Sequence, residues 1–346
     1  MRIAVTGASG NVGSALVDRL VDDGHEVVGI VRRPPDDDRL DWHRVDLTDE
    51  AQVPDLERSV QGADAVVHLA WGFQPSHRID HLRALGVDGT RRVAEAAVRA
   101  GVPHLVHQSS VGAYSPRRDM SPVREDHPTD GVESSPYSRH KAAAEKLLDE
   151  YDGRLTVTRM RPGIIGQRRA AGGLLRYAVP LLVPGRLLTW LPVLPLDDVV
   201  QLSMVHADDV ADAIARVLDR KTGGAFNLTA GSVDADEIAD VLGARRVAVP
   251  MPVLRAAASA TWHLRLQQVD PGWVDLARHA PVIDASRAGQ ELGWTPRRSA
   301  REVLEEVVDS MVHGDAGDSA ALRRRTVPRE IGSLLRRGPV SRRVRP

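Results

Sequence analysis

The stretch VTGASGNVGSAL, residues 5–16, constrains this chain more than any other. It joins a short apolar strand, RIAV, to a run of helical spacing, NVGSALVDRLVDDG, with glycines at 7, 10 and 13. Glycine at such points permits a tight turn, a close approach of backbone to a pyrophosphate, and close packing of helix on sheet. An anion would then rest on free N–H groups at the helix N-terminus, where the dipole favours negative charge. A glycine-rich turn without ligand is the alternative, but the strand before and the helix after are the context a dinucleotide site requires. Gly7, Ser9, Gly10, Asn11, Val12 and Gly13 are the candidate contacts here.

The first half of the chain repeats this alternation. HEVVGIV, WHRVDL, ADAVVHLA, PHLVHQSS and LTVTRMR read as strands. Between them lie helical runs over EAQVPDLERSVQG, HRIDHLRALGVDGTRRVAEAAVRAG and SSPYSRHKAAAEKLLDEY. Strands alternating with helices predict an α/β fold, a Rossmann-type doubly wound parallel sheet covered on both faces. A chain of 346 residues can bury a full core, and a net charge of -1 points to neither nucleic acid nor membrane as a partner. The absence of cysteine removes disulfides, thiolate nucleophiles and cysteine-bound metals. No signal peptide and no apolar run of ~18 residues is evident, so the expectation is a soluble cytoplasmic protein.

The second strand ends GIVRRPP, which puts Arg32 and Arg33 where a carboxylate would bind the ribose 2′-OH of NAD. Arginine there accommodates a 2′-phosphate, so the reading leans to NADP over NAD, with solvated turn residues as the alternative.

Composition matters most at YSRHK. The chain holds three lysines and four tyrosines, yet Lys141 stands four residues after Tyr137. On a helix those positions share a face. A phenol of pKa ~10 is a poor base at neutral pH, and an adjacent ammonium would stabilise phenolate and pull that value down. Lysine is a compact charge with rotatable donors that can also hold a ribose hydroxyl, a volume the planar fork of arginine does not match.

Taken in order, TGASGNVG, VDLTD, HLAW, VDGTRRVAEAA, HQSSVGAY, YSRHK, RPGIIG, VHADDVADAI and DASRAGQELGWTPRRSAREVLEE resemble the extended short-chain dehydrogenase/reductases, the NAD-dependent epimerase/dehydratase family. The resemblance runs from residue 1 to about residue 310. It implies that Tyr137 and Lys141 are catalytic, with Ser110 as the third member orienting the substrate oxygen and Ser109 its neighbour one position off. It implies that Asp46 and Leu47 flank the adenine. Leu69 and Ala70, with Trp71 beside them, would line the nicotinamide ribose, and Pro162, Gly163 and Ile164 the nicotinamide. The chemistry implied is hydride transfer at a secondary alcohol or ketone carbon of a sugar nucleotide or related small molecule. A homodimer through the flanking helices is open to such a chain.

Three departures narrow this. Val111 and Gly112 follow Ser110 where family dehydratases carry an Asp-Glu pair, which disfavours dehydration. The cysteine of epimerase-reductases is absent. Gly86 stands where the family pattern has asparagine.

The resemblance divides the chain into a dinucleotide-binding part, 1–165 with 202–230 returning to it, and a smaller substrate-binding lobe, 166–201 and 231–313. Trp190, Trp262 and Trp273 fall in the lobe, as pocket wall or as its core. Arg168, Arg169 and Arg186 are the scattered cations that could meet a diphosphate. His77 and His81, spaced i, i+4, lack a third ligand and read as a helix face, so no metal is expected. Residues 314–346 form an arginine-rich tail, expected to be solvated and flexible, with nucleic acid or anionic lipid as the alternative contact. Two other functions stay open: an NADP-dependent reductase of an apolar ketone or aldehyde, and a non-catalytic dinucleotide-sensing protein.

Overall fold

The structure, a computed structural model, describes residues 1–72, 77–178, 185–267, 269–324, 326 and 331–332. Strands β1 (Arg2–Thr6), β2 (Glu26–Val31), β3 (Asp41–Arg44), β4 (Ala65–His68), β5 (His104–Gln108) and β6 (Thr156–Pro162) alternate with helices α1 (Asn11–Asp22), α2 (Val53–Val60), α3 (Ile79–Arg83), α4 (Gly89–Arg99) and α5 (Pro136–Leu148). After them come β7 (Ile164–Gly166), α6 (Ala171–Ala178), β8 (Val193–Leu196), β9 (Gln201–His206), α7 (Ala207–Arg220) and β10 (Gly224–Leu228). The chain continues through β11 (Ser232–Asp234), α8 (Ala235–Val241), β12 (Arg245–Ala248), α9 (Met251–His263), α10 (Pro271–His279), α11 (Ser286–Leu292) and α12 (Ala300–His313).

Seven strands form one parallel sheet in the order β10-β6-β5-β4-β1-β2-β3. The strand period of two explains why it is covered on both sides. Along β1, Ile3 and Val5 face one core with Leu16, Leu20, Ile214, Leu292 and Trp294. Ala4 faces the other with Leu56, Val60, Val93, Ala97 and Leu148. Each fully buried aliphatic side chain in these layers contributes roughly 1.5–3 kcal/mol. Strand order reverses at β1, which lies between β2 and β4, and such a reversal opens a crevice beyond the strands' carboxyl ends.

Residues 202–230 divide between two sheets. β10 joins the large sheet beside β6, whereas β9 pairs with β7 and β11 in a three-stranded sheet. β8 and β12 make a separate parallel pair. Beyond α12 the chain is packed against the molecule at first: Leu322 is buried, and the Ser319 hydroxyl donates to the Ser9 carbonyl at 2.7 Å. The segment after α12, expected to begin a flexible tail, is thus tied to the glycine-rich turn at Ser319, and 333–346 lie outside the described residues. No helix among the described residues is long and apolar enough to cross a membrane.

Candidate active site

The turn after β1 is set by two glycines. Gly7 has φ +74°, and its amide donates to Ile30 at 2.9 Å, which ties the turn to β2. A Cβ on Gly7 would lie 2.8 Å from the Ala70 amide nitrogen, and one on Gly13 would overlap the Gly7 carbonyl oxygen. Gly10 caps α1 with no side-chain hydrogen bond, so the first-turn amides of Asn11, Val12 and Gly13 are left without a side-chain acceptor from the cap, as an anion site requires. A cradle of backbone this close to backbone fits a pyrophosphate. Gln167, nearly buried, braces it by donating to the Asn11 side-chain oxygen at 2.8 Å, while Asn11 donates to Ile165 at 3.1 Å. Its motif-free setting after β7 gave no sequence signal for that role.

Arg32 and Arg33 directly follow β2. Among the acids after them, Asp37 is bound to Arg39 at 2.9 Å, and that guanidinium holds its carboxyl below the usual range. Asp46 is buried and accepts from the Thr48 hydroxyl at 2.7 Å. Leu47 is buried beside it, its carbonyl taking a hydrogen bond from Arg92 at 2.7 Å. Leu69 and Ala70 lie at the end of β4, and Ala70 touches the Gly7 turn. Pro162 ends β6, a Cβ on Gly163 would overlap the Ser203 carbonyl oxygen, and Ile164 is exposed.

Ser110, Tyr137 and Lys141 come together at the end of β5. Ser135 caps α5 and Pro136 occupies its first turn, so Tyr137 and Lys141 lie one turn apart on it. The Ser110 hydroxyl lies beside the Tyr137 phenol, where it favours phenolate, and it accepts from the Gly112 amide at 3.0 Å. Its neighbour Ser109 instead donates to the Glu145 carboxylate. Glu145 in turn pairs with Arg161 at 2.6 Å, both side chains nearly buried. Gly112, a departure from the family pattern, seats the tyrosine; a Cβ there would lie 2.9 Å from Tyr137 Cε1. Ser138, inside YSRHK, locks the same loop by donating to the Gly112 carbonyl at 2.6 Å and accepting from the Val132 amide at 2.6 Å.

The electrostatics differ from the sequence reading in one respect. Tyr137 is pushed up to about 12, not down, because burial opposes phenolate more than the Ser110 hydrogen bond favours it. Its ring stands between two indoles, with centroids 6.5 Å from Trp71 and 4.9 Å from Trp273 of α10. Lys141 is 2% exposed, and burial lowers its pKa well below the ordinary lysine value while Glu145 raises it. Its ammonium donates to the Gln108 carbonyl at 2.7 Å and lies 3.5 Å from the centre of the Trp71 ring.

Other singled-out residues fall elsewhere. Arg168 pairs with Asp309 at 2.9 Å and Asp315 at 2.6 Å, and Arg169 with Asp18 at 2.8 Å, so both are spent on acids of this chain. Arg186 is exposed. Trp190 is 79% exposed and so is not part of the lobe core. Trp262 stacks on His77 at 4.3 Å, a contact that gives this histidine an aromatic neighbour in the lobe. Of the three lobe tryptophans, Trp273 alone is recorded against the phenol among the described residues.

Comparison with known proteins shows the family and the fold. The model of the NAD dependent epimerase/dehydratase family matches residues 3–229. UDP-glucose 4-epimerase of Mycolicibacterium smegmatis is 29% identical over 329 residues, covering 89% of this chain and 98% of that protein. An uncharacterised protein of Mycobacterium tuberculosis is 31% identical over 312 residues, 88% of this chain, but the match spans only 29% of that protein's length. Similar folds include UDP-glucose 4-epimerase of Thermus thermophilus in complex with NAD, with TM-score 0.67, 23% identity and coverage of 90% of this chain and 99% of that one. MoeE5 in complex with UDP-glucuronic acid and NAD has TM-score 0.65 at 22% identity, covering 90% and 99%.

Proposed function

The chain belongs to the NAD dependent epimerase/dehydratase family, and we propose that it transfers hydride at a secondary alcohol or ketone carbon of a sugar nucleotide or related small molecule. The observation that carries this reading is the placement of Ser110 beside the Tyr137 phenol, with Lys141 one turn on and Ala70, just past β4, close to the glycine cradle. Gly7, Gly10 and Gly13 would hold the pyrophosphate, with Ser9, Asn11 and Val12 in the same turn. Asp46 and Leu47 would meet the adenine, and Leu69, Ala70, Trp71 and Pro162 to Ile164 the nicotinamide end. Arg32 and Arg33, with the nearby Asp37 neutralised by Arg39, favour NADP over NAD.

When bound, the nicotinamide supplies or accepts the hydride. Tyr137 moves the proton: in reduction its phenol protonates the carbonyl oxygen, and in oxidation its phenolate takes the proton of the carbinol. A phenol pushed up to about 12 is protonated at neutral pH, which suits the donor role. Ser110 orients the substrate oxygen, and Lys141 supplies the positive charge and a donor for a ribose hydroxyl.

A second reading, reduction of an apolar ketone or aldehyde, is favoured by the two indoles around Tyr137 and by the engagement of Arg168 and Arg169 elsewhere. A screen of sugar nucleotides, ketones and aldehydes with both dinucleotides tests the two together. Conversion of a sugar nucleotide with no net change in cofactor supports epimerisation, and NADPH consumed in step with product supports reduction. Tight dinucleotide binding with no turnover of any class would overturn both and leave a sensor.

A further inference from the structure

Trp71 and Gly86 are separated in sequence but fit each other in space. Gly86 lies in a π-turn, Ala84–Asp88, that interrupts the long helix expected over residues 77–101. Such turns cluster at functional sites. A Cβ on Gly86 would stand 2.9 Å from both Cη2 and Cζ2 of Trp71, so the indole rests on bare backbone and no larger residue shares the space. The turn itself is anchored. Thr90 donates to the Gly86 carbonyl at 2.6 Å, and its oxygen meets His68 Nε2 at 3.0 Å. His68 Nδ1 then meets the Thr6 hydroxyl at 2.7 Å. Because Thr90 spends its proton on Gly86, His68 must carry its own on Nε2, and the chain of donors runs from β1 through β4 to the seat.

From that seat the indole presents its face to Lys141 Nζ, 3.5 Å from the ring centre, and an aromatic face attracts a cation most strongly where water is excluded. We infer that Trp71 is a positioning residue for Lys141: its indole, seated on Gly86, caps the ammonium and holds it over the Gln108 carbonyl, one helical turn from Tyr137. The groups that face the lysine are few. Glu145 lies on its own helix and is shared with Arg161 of β6. His68 and His107, on β4 and β5, are kept neutral by burial and by the lysine's charge. Tyr137 is on its own helix, protonated. Glu145, the one carboxylate among them, is shared with Arg161 and Ser109, and the contacts made by the ammonium itself are the Gln108 carbonyl and the indole face. The inference rests on the proposed function only for what Lys141 is positioned to do.

The test uses the scarcity of lysine and needs no substrate. With Lys141, Lys146 and Lys221 the only lysines, protein labelled with carbon-13 at lysine Cε gives three NMR signals, and the one missing from Lys141→Met is assigned. That signal is expected to be displaced by the indole ring current and to titrate below the ordinary value of ~10.4. Trp71→Leu keeps an apolar filling without the aromatic face. It should abolish the displacement and lower the midpoint by about one further pH unit, the size of a desolvated cation–π contact. Gly86→Ala should do the same in the wild type and nothing more in Trp71→Leu, while Trp71→Phe should fall between. Unchanged Lys146 and Lys221 signals report an intact fold, and Trp71→Phe carries the test if leucine is not tolerated. A midpoint that stays fixed or rises would overturn the inference, a rise meaning that the indole only excludes water. Failure of the proposed function would appear as absent turnover with these shifts intact.

Discussion

Replacing Gly112 by alanine probes the seat of Tyr137 directly. Gly112 is not among the residues of positive φ, so alanine suits its backbone and the effect is steric. The new methyl would lie 2.9 Å from Tyr137 Cε1 and 3.4 Å from Ser110 Oγ. Ordinary carbon contacts lie at about 3.5–4.0 Å, so the ring edge must retreat by roughly 0.6–1 Å. A retreat of that size moves the phenol relative to Ser110 and to Lys141. Misplacing a reacting group by ~1 Å costs on the order of a hundredfold in rate. Overpacking should also cost about 1–3 kcal/mol of stability, read by urea melts. The atoms nearest the new methyl belong to Tyr137 and Ser110 rather than to the glycine cradle, so the dinucleotide dissociation constant should change by less than about threefold, under ~0.7 kcal/mol. Turnover on the substrate found by screening, together with dinucleotide affinity by calorimetry, separates these effects. Gly112→Ala retaining turnover within about threefold, in a folded protein, would refute the placement of the phenol against this loop.

Arg32→Ala with Arg33→Ala should weaken NADP by roughly ten- to a hundredfold, the worth of one charge-assisted hydrogen bond, and leave NAD unchanged. Equal losses for both dinucleotides, measured by calorimetry, would remove the arginines from the ribose site. Burial pulls His68 from 6.5 to about 3, so the folded protein resists a proton that the unfolded chain accepts. Its stability contribution is therefore complete above pH ~6.5 and lost towards pH ~3, by up to ~5 kcal/mol. Urea midpoints from pH 7 to pH 4 should fall less steeply in His68→Gln than in the wild type, and parallel curves would contradict the assignment.

The features legible in sequence were those carried by local geometry. The glycines at 7, 10 and 13 stood between a strand and a helix, and Tyr137 and Lys141 shared one helical face. The alternating strands likewise announced the sheet. What escaped depended on chain brought from far away. Trp273, 136 residues beyond Tyr137, packs on the phenol, and no spacing rule links the two. Gly86 read as a departure from a pattern, and its use as a seat became visible only with Trp71 beside it. Arg168 and Arg169 looked available to a phosphate until α1, α12 and the segment after it supplied Asp18, Asp309 and Asp315. The phenol's pKa departs from what helical spacing predicts for a related reason: the spacing places the cation, but burial sets the cost of charge.

A single-turnover measurement on Tyr137→Phe bears most directly on the proton-transfer role. With the screened substrate and either dinucleotide, the variant should lose hydride transfer by at least about a hundredfold, the lower bound for a general acid–base group. Its dinucleotide affinity should stay within about threefold of the wild type. Hydride transfer at the wild-type rate in a folded Tyr137→Phe protein would contradict it.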